Sequence, residues 1–337
     1  MARQRHGLVL LTGATGFVGG AVMEQLVEAG YSVRALARRP ETFHPGPEVA
    51  TWPGDILDLD TVVAAARGCD AVIHCAADYR LALRPGEISR MIAVNVGGTG
   101  NVLEAATRVG IRRMVHCSTV GTLAFERSGR VCSEVDMARS PGLLPGPYKR
   151  SKWAAERLAL RPREGGPEVV AVLPSTPVGA GDRRPTPTGQ TIRDFLRGRI
   201  PAVVDTGLNL VAVEAVARGH LLALERGVPG RAYILGDANL SLREFLGRVA
   251  AIAGRPPPRW RVPVAVGLAA AVVSEGVGRV RRRAPVISLT SARMAAHPMY
   301  VSSARAWSEL GWRPEGLESA LRQAVLELGP GARSREA

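Results

Sequence analysis

Lysine is nearly absent from this 337-residue chain: it occurs only at Lys149 and Lys152, and every other basic side chain is an arginine. Aromatic residues are scarce too, at 4%. A nucleic-acid surface combines clustered cations with aromatic stacking platforms. Here the arginines are scattered and few aromatics accompany them, so no nucleic-acid partner is expected. The formal net charge of +14 better suits an anionic small-molecule substrate, or weak association with an anionic membrane surface. The four cysteines, Cys69, Cys75, Cys117 and Cys132, show no CxxC spacing. They are expected to be reduced thiols of a cytoplasmic protein, with no metal site among them. Long apolar runs are missing as well. The longest, Val262 to Val273, contains Pro263 and Gly267 and falls short of the roughly 18–20 residues of a spanning helix. The run after Met1-Ala-Arg-Gln-Arg ends at Thr12, too short for a signal peptide.

What the chain does have is an alternation of strand and helix patterns. Strands are predicted near residues 6–11, 31–37, 48–52, 70–76, 112–118 and 169–173, and another near 231–235. Helices are predicted at 16–28, 58–67, about 87–109 and 148–160. The strand runs lack polar alternation, as strands covered on both faces should. This pattern implies right-handed βαβ units and a doubly wound parallel sheet of the α/β class. After Pro174 the pattern changes. Residues 174–187 are rich in Pro, Gly, Ser and Thr and are predicted to be loop. Further helices are expected at 189–197, 213–225, after a capping box at Ser241 and Glu244, at 264–280 and at 315–328. The predicted division is a dinucleotide-binding domain over 1–178, with return elements at about 209–236. A smaller, mainly C-terminal α+β substrate-binding part takes 179–208 and 237–328, and 329–337 is a frayed tail. Helix 264–280 with Arg281 to Arg283 could lie at a membrane interface, although packing against the substrate part is the simpler expectation.

The ligand crevice of such a sheet lies beyond the carboxyl ends of its strands, and the motifs fall there. Thr12-Gly-Ala-Thr-Gly-Phe-Val-Gly19 joins strand one to helix one. Glycines at 13, 16 and 19 permit a tight turn, close backbone approach to a pyrophosphate, and close packing of helix on sheet. With Thr15, Phe17 and Val18 they form the expected phosphate-binding loop. Strand two ends on Ala37-Arg38-Arg39, with no carboxylate to hold a ribose 2′-hydroxyl; a guanidinium at Arg38 pairs instead with a 2′-phosphate. NADP(H) is therefore favoured, with NAD as the alternative. In Tyr148-Lys-Arg-Ser-Lys152 the phenol and the second ammonium share a helix face. A cation one turn away stabilises a phenolate that is otherwise formed only near pH 10. That Lys152 is lysine in an arginine-rich chain suits a compact charge with three movable donors. His116-Cys-Ser-Thr-Val120 ends strand five, and either Ser118 or Thr119 could hydrogen-bond the substrate oxygen that Tyr148 protonates or deprotonates.

Together these motifs resemble the extended short-chain dehydrogenase/reductase superfamily, the NAD-dependent epimerase/dehydratase group, over nearly the whole chain. The resemblance implies a Rossmann-type fold and carries over further residues. Asp55 and Ile56 match the adenine-binding Asp-Ile. His74-Cys-Ala76-Ala77 matches His-x-Ala-Ala, Asn95-Val-Gly-Gly-Thr99 matches Asn-Val-x-Gly-Thr, and Leu173-Pro174-Ser-Thr176 matches the nicotinamide-side segment. By register the superfamily's catalytic hydroxyl falls on Thr119, with Tyr148 and Lys152 completing the set. The stretches 76–80, 174–182, 185–189 and 204–211 are similar to hopanoid-associated sugar epimerases, bacterial relatives of dihydroflavonol 4-reductase. The His-Val-Asp-Asp that often follows there is Ala212-Val-Glu-Ala215 in this chain.

This resemblance implies hydride transfer between nicotinamide C4 and a carbinol or carbonyl carbon, followed either by epimerisation of a sugar-like or hopanoid-linked substrate or by release after one reduction. The third reading, a non-catalytic NADP(H) sensor, is disfavoured by the intact Tyr148 and Lys152. The substrate pocket is expected from Tyr79, residues 176–188 and the stretch after Ser288. Apolar and small residues on several sides of the 87–109 and Tyr148 helices, which pair across a two-fold axis in the superfamily, imply a homodimer.

Overall fold

The computed structural model of the chain describes residues 7–43, 45–80, 85–126, 128–280 and 295–329. The arginines at 281–283, the stretch 288–294, the opening residues 1–6 and the tail beyond 329 lie outside the described residues.

Seven strands form the central sheet: β1 (Leu8–Thr12), β2 (Ser32–Ala37), β3 (Val49–Pro53), β4 (Ala71–His74), β5 (Arg113–Cys117), β6 (Glu168–Pro174) and, much later in the chain, β10 (Ala232–Leu235). Their spatial order is β10-β6-β5-β4-β1-β2-β3, and every pairing is parallel. The winding reverses between β1 and β4, which is where a doubly wound sheet opens its ligand crevice.

Alternate residues of each strand feed two separate cores. Val9, Leu11, Ile73 and Val115 pack with Val22 and Leu26 of α1 (Phe17–Glu28) and with Ala215 and Val216 of α7 (Val213–Arg226). Leu10, Val72 and Met114 pack on the other face with Val62 and Ala65 of α2 (Leu59–Ala66) and with Val102 and Ala106 of α4 (Gly98–Arg108). Both faces being covered explains why the strands carry no polar alternation.

The long helix expected at 87–109 is broken. α3 (Pro85–Ile92) leads into a π-helical turn, Ala93–Gly97, before α4 begins. Such a bulge re-aims one residue, and here that residue is the buried Asn95. α5 (Gly146–Leu160) carries Tyr148 and Lys152.

The segment predicted as loop after Pro174 differs most from expectation. It contains β7 (Thr176–Val178), which pairs in parallel with β9 (Gly207–Ala212), itself antiparallel to β11 (Ala238–Ser241). These partners lie far apart in sequence, so no local pattern announces the strand. α6 (Pro187–Leu196) follows, capped by the Thr186 hydroxyl, which accepts from Gly189 N–H at 3.1 Å. β8 (Ala202–Val204) pairs with β12 (Trp260–Val262). The Ser241 capping box of α8 (Leu242–Ala253) has both of its reciprocal bonds. α9 (Val264–Val280) and α10 (Leu317–Leu328) complete the described helices. Among the described residues no helix is long and apolar enough to cross a membrane.

Candidate active site

The glycine loop is shaped by two backbone requirements. Gly13 sits at φ +80°, and a Cβ there would stand 2.6 Å from Ala76 N. A Cβ on Gly19 would stand 2.1 Å from the Gly13 carbonyl oxygen. Neither position admits a side chain, so the loop can fold tightly against β4 and the start of α1. Thr15 and Gly16 are exposed at its tip, and Phe17 and Val18 are half-buried. No acidic side chain occupies the first turn of α1. The free N–H groups and positive end of this helix thus suit a pyrophosphate.

A buried relay fixes this loop to its neighbours. The Thr99 hydroxyl donates to the Asn95 carbonyl at 2.7 Å, so it accepts from His74 Nε2 at 3.0 Å. His74 Nδ1 then accepts from the Thr12 hydroxyl at 2.7 Å, and the Thr12 oxygen accepts from Ala76 N–H at 3.3 Å. These directions require a neutral imidazole. Burial, with the nearby Lys152 ammonium, pushes the His74 pKa down to about 3. Asn95, placed by the π turn, accepts from Asp78 N–H at 2.7 Å and donates to the Asp78 carbonyl and to Ser151 Oγ, each at 2.9 Å. The chain beyond β4, with Ala76 and Ala77, is held between β1 and α5 in this way.

The other expected cofactor residues stand around the same rim. Arg38 is exposed just past β2. Ile56 is buried against α4, where a Cβ on Gly98 would stand 2.5 Å from its Cδ1. Asp55 beside it accepts from Leu57 N–H at 3.0 Å. Pro174 is buried at the end of β6, and Thr176 opens β7.

The residues expected to do the acid/base work come from the turn after β5 and from α5. Thr119 caps a 3-10 turn, its oxygen accepting from Gly121 N–H at 3.1 Å, and its hydroxyl lies near enough to the Tyr148 phenol to favour the ionised form. Ser118, the other candidate, is engaged elsewhere: it donates to the buried carboxylate of Glu156. Lys152 is buried and donates from Nζ to the Cys117 carbonyl at 2.7 Å. Burial pushes its pKa down, partly offset by Glu156. Burial raises the Tyr148 pKa, Cys117 adds to the rise, and the Thr119 hydroxyl pulls it back. Desolvation of the phenolate is the largest cause, so the phenol stays protonated.

Two groups were not foreseen from the sequence. Glu156 lies one turn beyond Lys152. Lys149 is buried with Nζ 3.5 Å from Met299 Sδ and 5.7 Å from the centre of the Phe125 ring, and burial pushes its pKa down to about 8. Only the scarcity of lysine in the chain marked it. On the substrate side, the Tyr79 phenol donates to the Arg184 carbonyl at 3.1 Å. Asp182 accepts from Thr186 N–H at 2.9 Å and from its hydroxyl at 2.8 Å, folding the 182–186 turn.

A doubly wound sheet, a glycine loop at its switch point and a Thr-Tyr-Lys group at the next strand ends define a dinucleotide-dependent oxidoreductase. The description of the NAD-dependent epimerase/dehydratase family fits residues 9–236, and the chain belongs to that family. It is 39% identical over 323 residues to a Synechocystis protein with the provisional name dihydroflavonol 4-reductase, covering 94% of this chain and 92% of that one. Among solved structures it resembles gox2253 (38% identity, TM-score 0.83, 95% and 97% coverage). It also resembles MoeE5 in complex with UDP-glucuronic acid and NAD (25% identity, TM-score 0.73, 95% and 98% coverage).

Proposed function

We propose that the protein is an NADPH-dependent reductase of a carbonyl on a small polycyclic or sugar-like substrate, similar in action to dihydroflavonol 4-reductase. The observation that carries this reading is Arg38, exposed just past β2 where no carboxylate follows the strand. A guanidinium there suits the 2′-phosphate of NADPH, the cofactor of net reduction. The dinucleotide would be held by Gly13, Gly16 and Gly19 with the first turn of α1, by Asp55 and Ile56 on the adenine side, and by Arg38 at the 2′-phosphate. Ala76, Ala77, Pro174 and Thr176 would line its nicotinamide end. When bound it supplies the hydride.

The chain's own residues do the rest. Thr119 donates to the substrate carbonyl oxygen and aligns it. Tyr148 transfers its proton to that oxygen as negative charge develops there. Lys152, anchored by one hydrogen bond to Cys117, keeps two N–H donors for the nicotinamide ribose, and its charge stabilises the phenolate left behind.

The similarity to MoeE5 with a bound nucleotide sugar favours a second reading, epimerisation of a sugar-like substrate, including a hopanoid-linked one. One assay separates the two. Purified protein is incubated with NADPH and a panel of ketones, and separately with nucleotide sugars, while the absorbance of the reduced nicotinamide and the stereochemistry of product are followed. Stoichiometric loss of NADPH supports the reductase. Interconversion of epimers without net loss of NADPH overturns it in favour of the epimerase.

A further inference from the structure

One cluster of side chains at the strand ends borders this site without taking a step in its chemistry. β4 and β5 are parallel neighbours with His74 opposite His116, so the following residues, Cys75 and Cys117, stand side by side. α7 covers that face of the sheet and brings His220 onto them. The two Sγ atoms and the imidazole nitrogen all lie within 4.8 Å of one another. His220 is completely buried. Its Nδ1 lies 2.9 Å from the Val216 carbonyl oxygen one turn earlier, so Nδ1 carries the proton and Nε2 keeps its lone pair. That Nε2 is buried without a hydrogen-bond partner.

An imidazole whose far nitrogen is fixed by a backbone carbonyl is oriented as metal-ligating histidines are. Two thiolates and one imidazole form a soft donor set suited to Zn²⁺. Zn–S bonds of about 2.3 Å in tetrahedral geometry set ligand atoms about 3.8 Å apart, so small side-chain rotations close the cluster on an ion. A disulfide fits less well. It requires Cβ atoms about 3.8 Å apart, while adjacent strand backbones run about 4.8 Å apart with side chains leaving the sheet alongside one another.

We propose that Cys75, Cys117 and His220 form a three-ligand site for Zn²⁺. Binding replaces two thiol protons, which are released, and the two thiolate charges cancel that of the ion, so the buried complex is neutral. No electron transfer is involved.

The test is titration of the reduced full-length protein with Zn²⁺ against a fluorescent chelator. One ion per chain at micromolar or tighter Kd is expected, and Cys75→Ser and Cys117→Ser should each weaken binding at least tenfold, while Cys69→Ser leaves it unchanged. Co²⁺ loading of the wild type should give thiolate-to-metal charge-transfer absorption. Should the serine variants fail to fold, peptide mapping of alkylated wild type decides: Zn²⁺ must protect Cys75 and Cys117. Absence of stoichiometric binding, binding unaffected by both serine substitutions, unprotected Cys75 and Cys117, or a metal-free Cys75–Cys117 disulfide as the resting state would each overturn the proposal.

Discussion

The ammonium of Lys152 on α5 is tied to the carbonyl oxygen of Cys117 at the end of β5, 2.7 Å away. Helix and strand are joined at the point where the chain turns to present Thr119, and the charge is fixed one helical turn from Tyr148. A planar guanidinium is too large to make that bond from the same buried position and still turn donors toward a ribose.

Lys152→Arg is therefore expected to lose at least about tenfold in kcat/KM despite keeping its charge, with weaker cofactor binding by fluorescence titration. Wild-type kinetics in this variant would remove the role given to a compact cation.

Tyr148→Phe should fold normally and bind cofactor, yet lose at least about a hundredfold in kcat, since one acid/base group contributes roughly 10²–10⁴-fold. Thr119→Val should show a smaller loss in the same direction. Ser118→Ala should act on stability through Glu156 rather than on the chemical step. A larger kcat loss in Ser118→Ala than in Thr119→Val would transfer the substrate contact to Ser118.

In the proposed function, cofactor choice falls to Arg38 at the end of β2. NADP(H) is expected to bind at least about tenfold more tightly than NAD(H), because one charge-assisted contact to a phosphate is worth about 1.5–3 kcal/mol. Arg38→Ala should lose that preference by weakening NADP(H) alone. Equal affinities in the wild type would refute the assignment.

The buried histidines make the fold acid-sensitive. His74 is held neutral down to about pH 3. His116 is pushed well below the ordinary value by burial and by the facing Lys152, His74 and His220, and neither of its ring nitrogens has a hydrogen-bond partner. Below about pH 6.5 the unfolded chain takes up these protons while the native protein does not. Stability present above that pH is thus lost as pH falls, by up to roughly 1.4 kcal/mol per pH unit per histidine. Urea midpoints between pH 7 and pH 4 should fall less steeply for His116→Leu, and parallel curves for the two proteins would contradict this.

Ile92 on α3 is 48% exposed, an apolar residue on the helix pair expected to meet a second copy. Light scattering at micromolar concentration should report twice the mass of one chain, falling to a single mass in Ile92→Glu. A single-chain mass for the wild type at every concentration would show that these helices have no partner.

The parallel sheet, the glycine loop and the Tyr148–Lys152 pair were legible because each depends on short-range geometry. Unbroken apolar runs mark strands buried on both faces, Gly13 and Gly19 mark places where a Cβ would strike backbone, and a four-residue spacing sets two side chains on one helix face. The contacts that choose among candidates were not legible, because they join residues remote in sequence. Whether Ser118 or Thr119 faces the phenol turns on Glu156, which captures Ser118 from 38 residues away. β7 exists only because β9 lies beside it. The raised Tyr148 pKa comes from burial, which the packing of α5 on the sheet creates. Cys75, Cys117 and His220 share no motif spacing; parallel register and the docking of α7 bring them together. Local backbone geometry was thus written in the sequence itself, while the partners and the desolvation that tune each group were decided only when distant segments closed on one another.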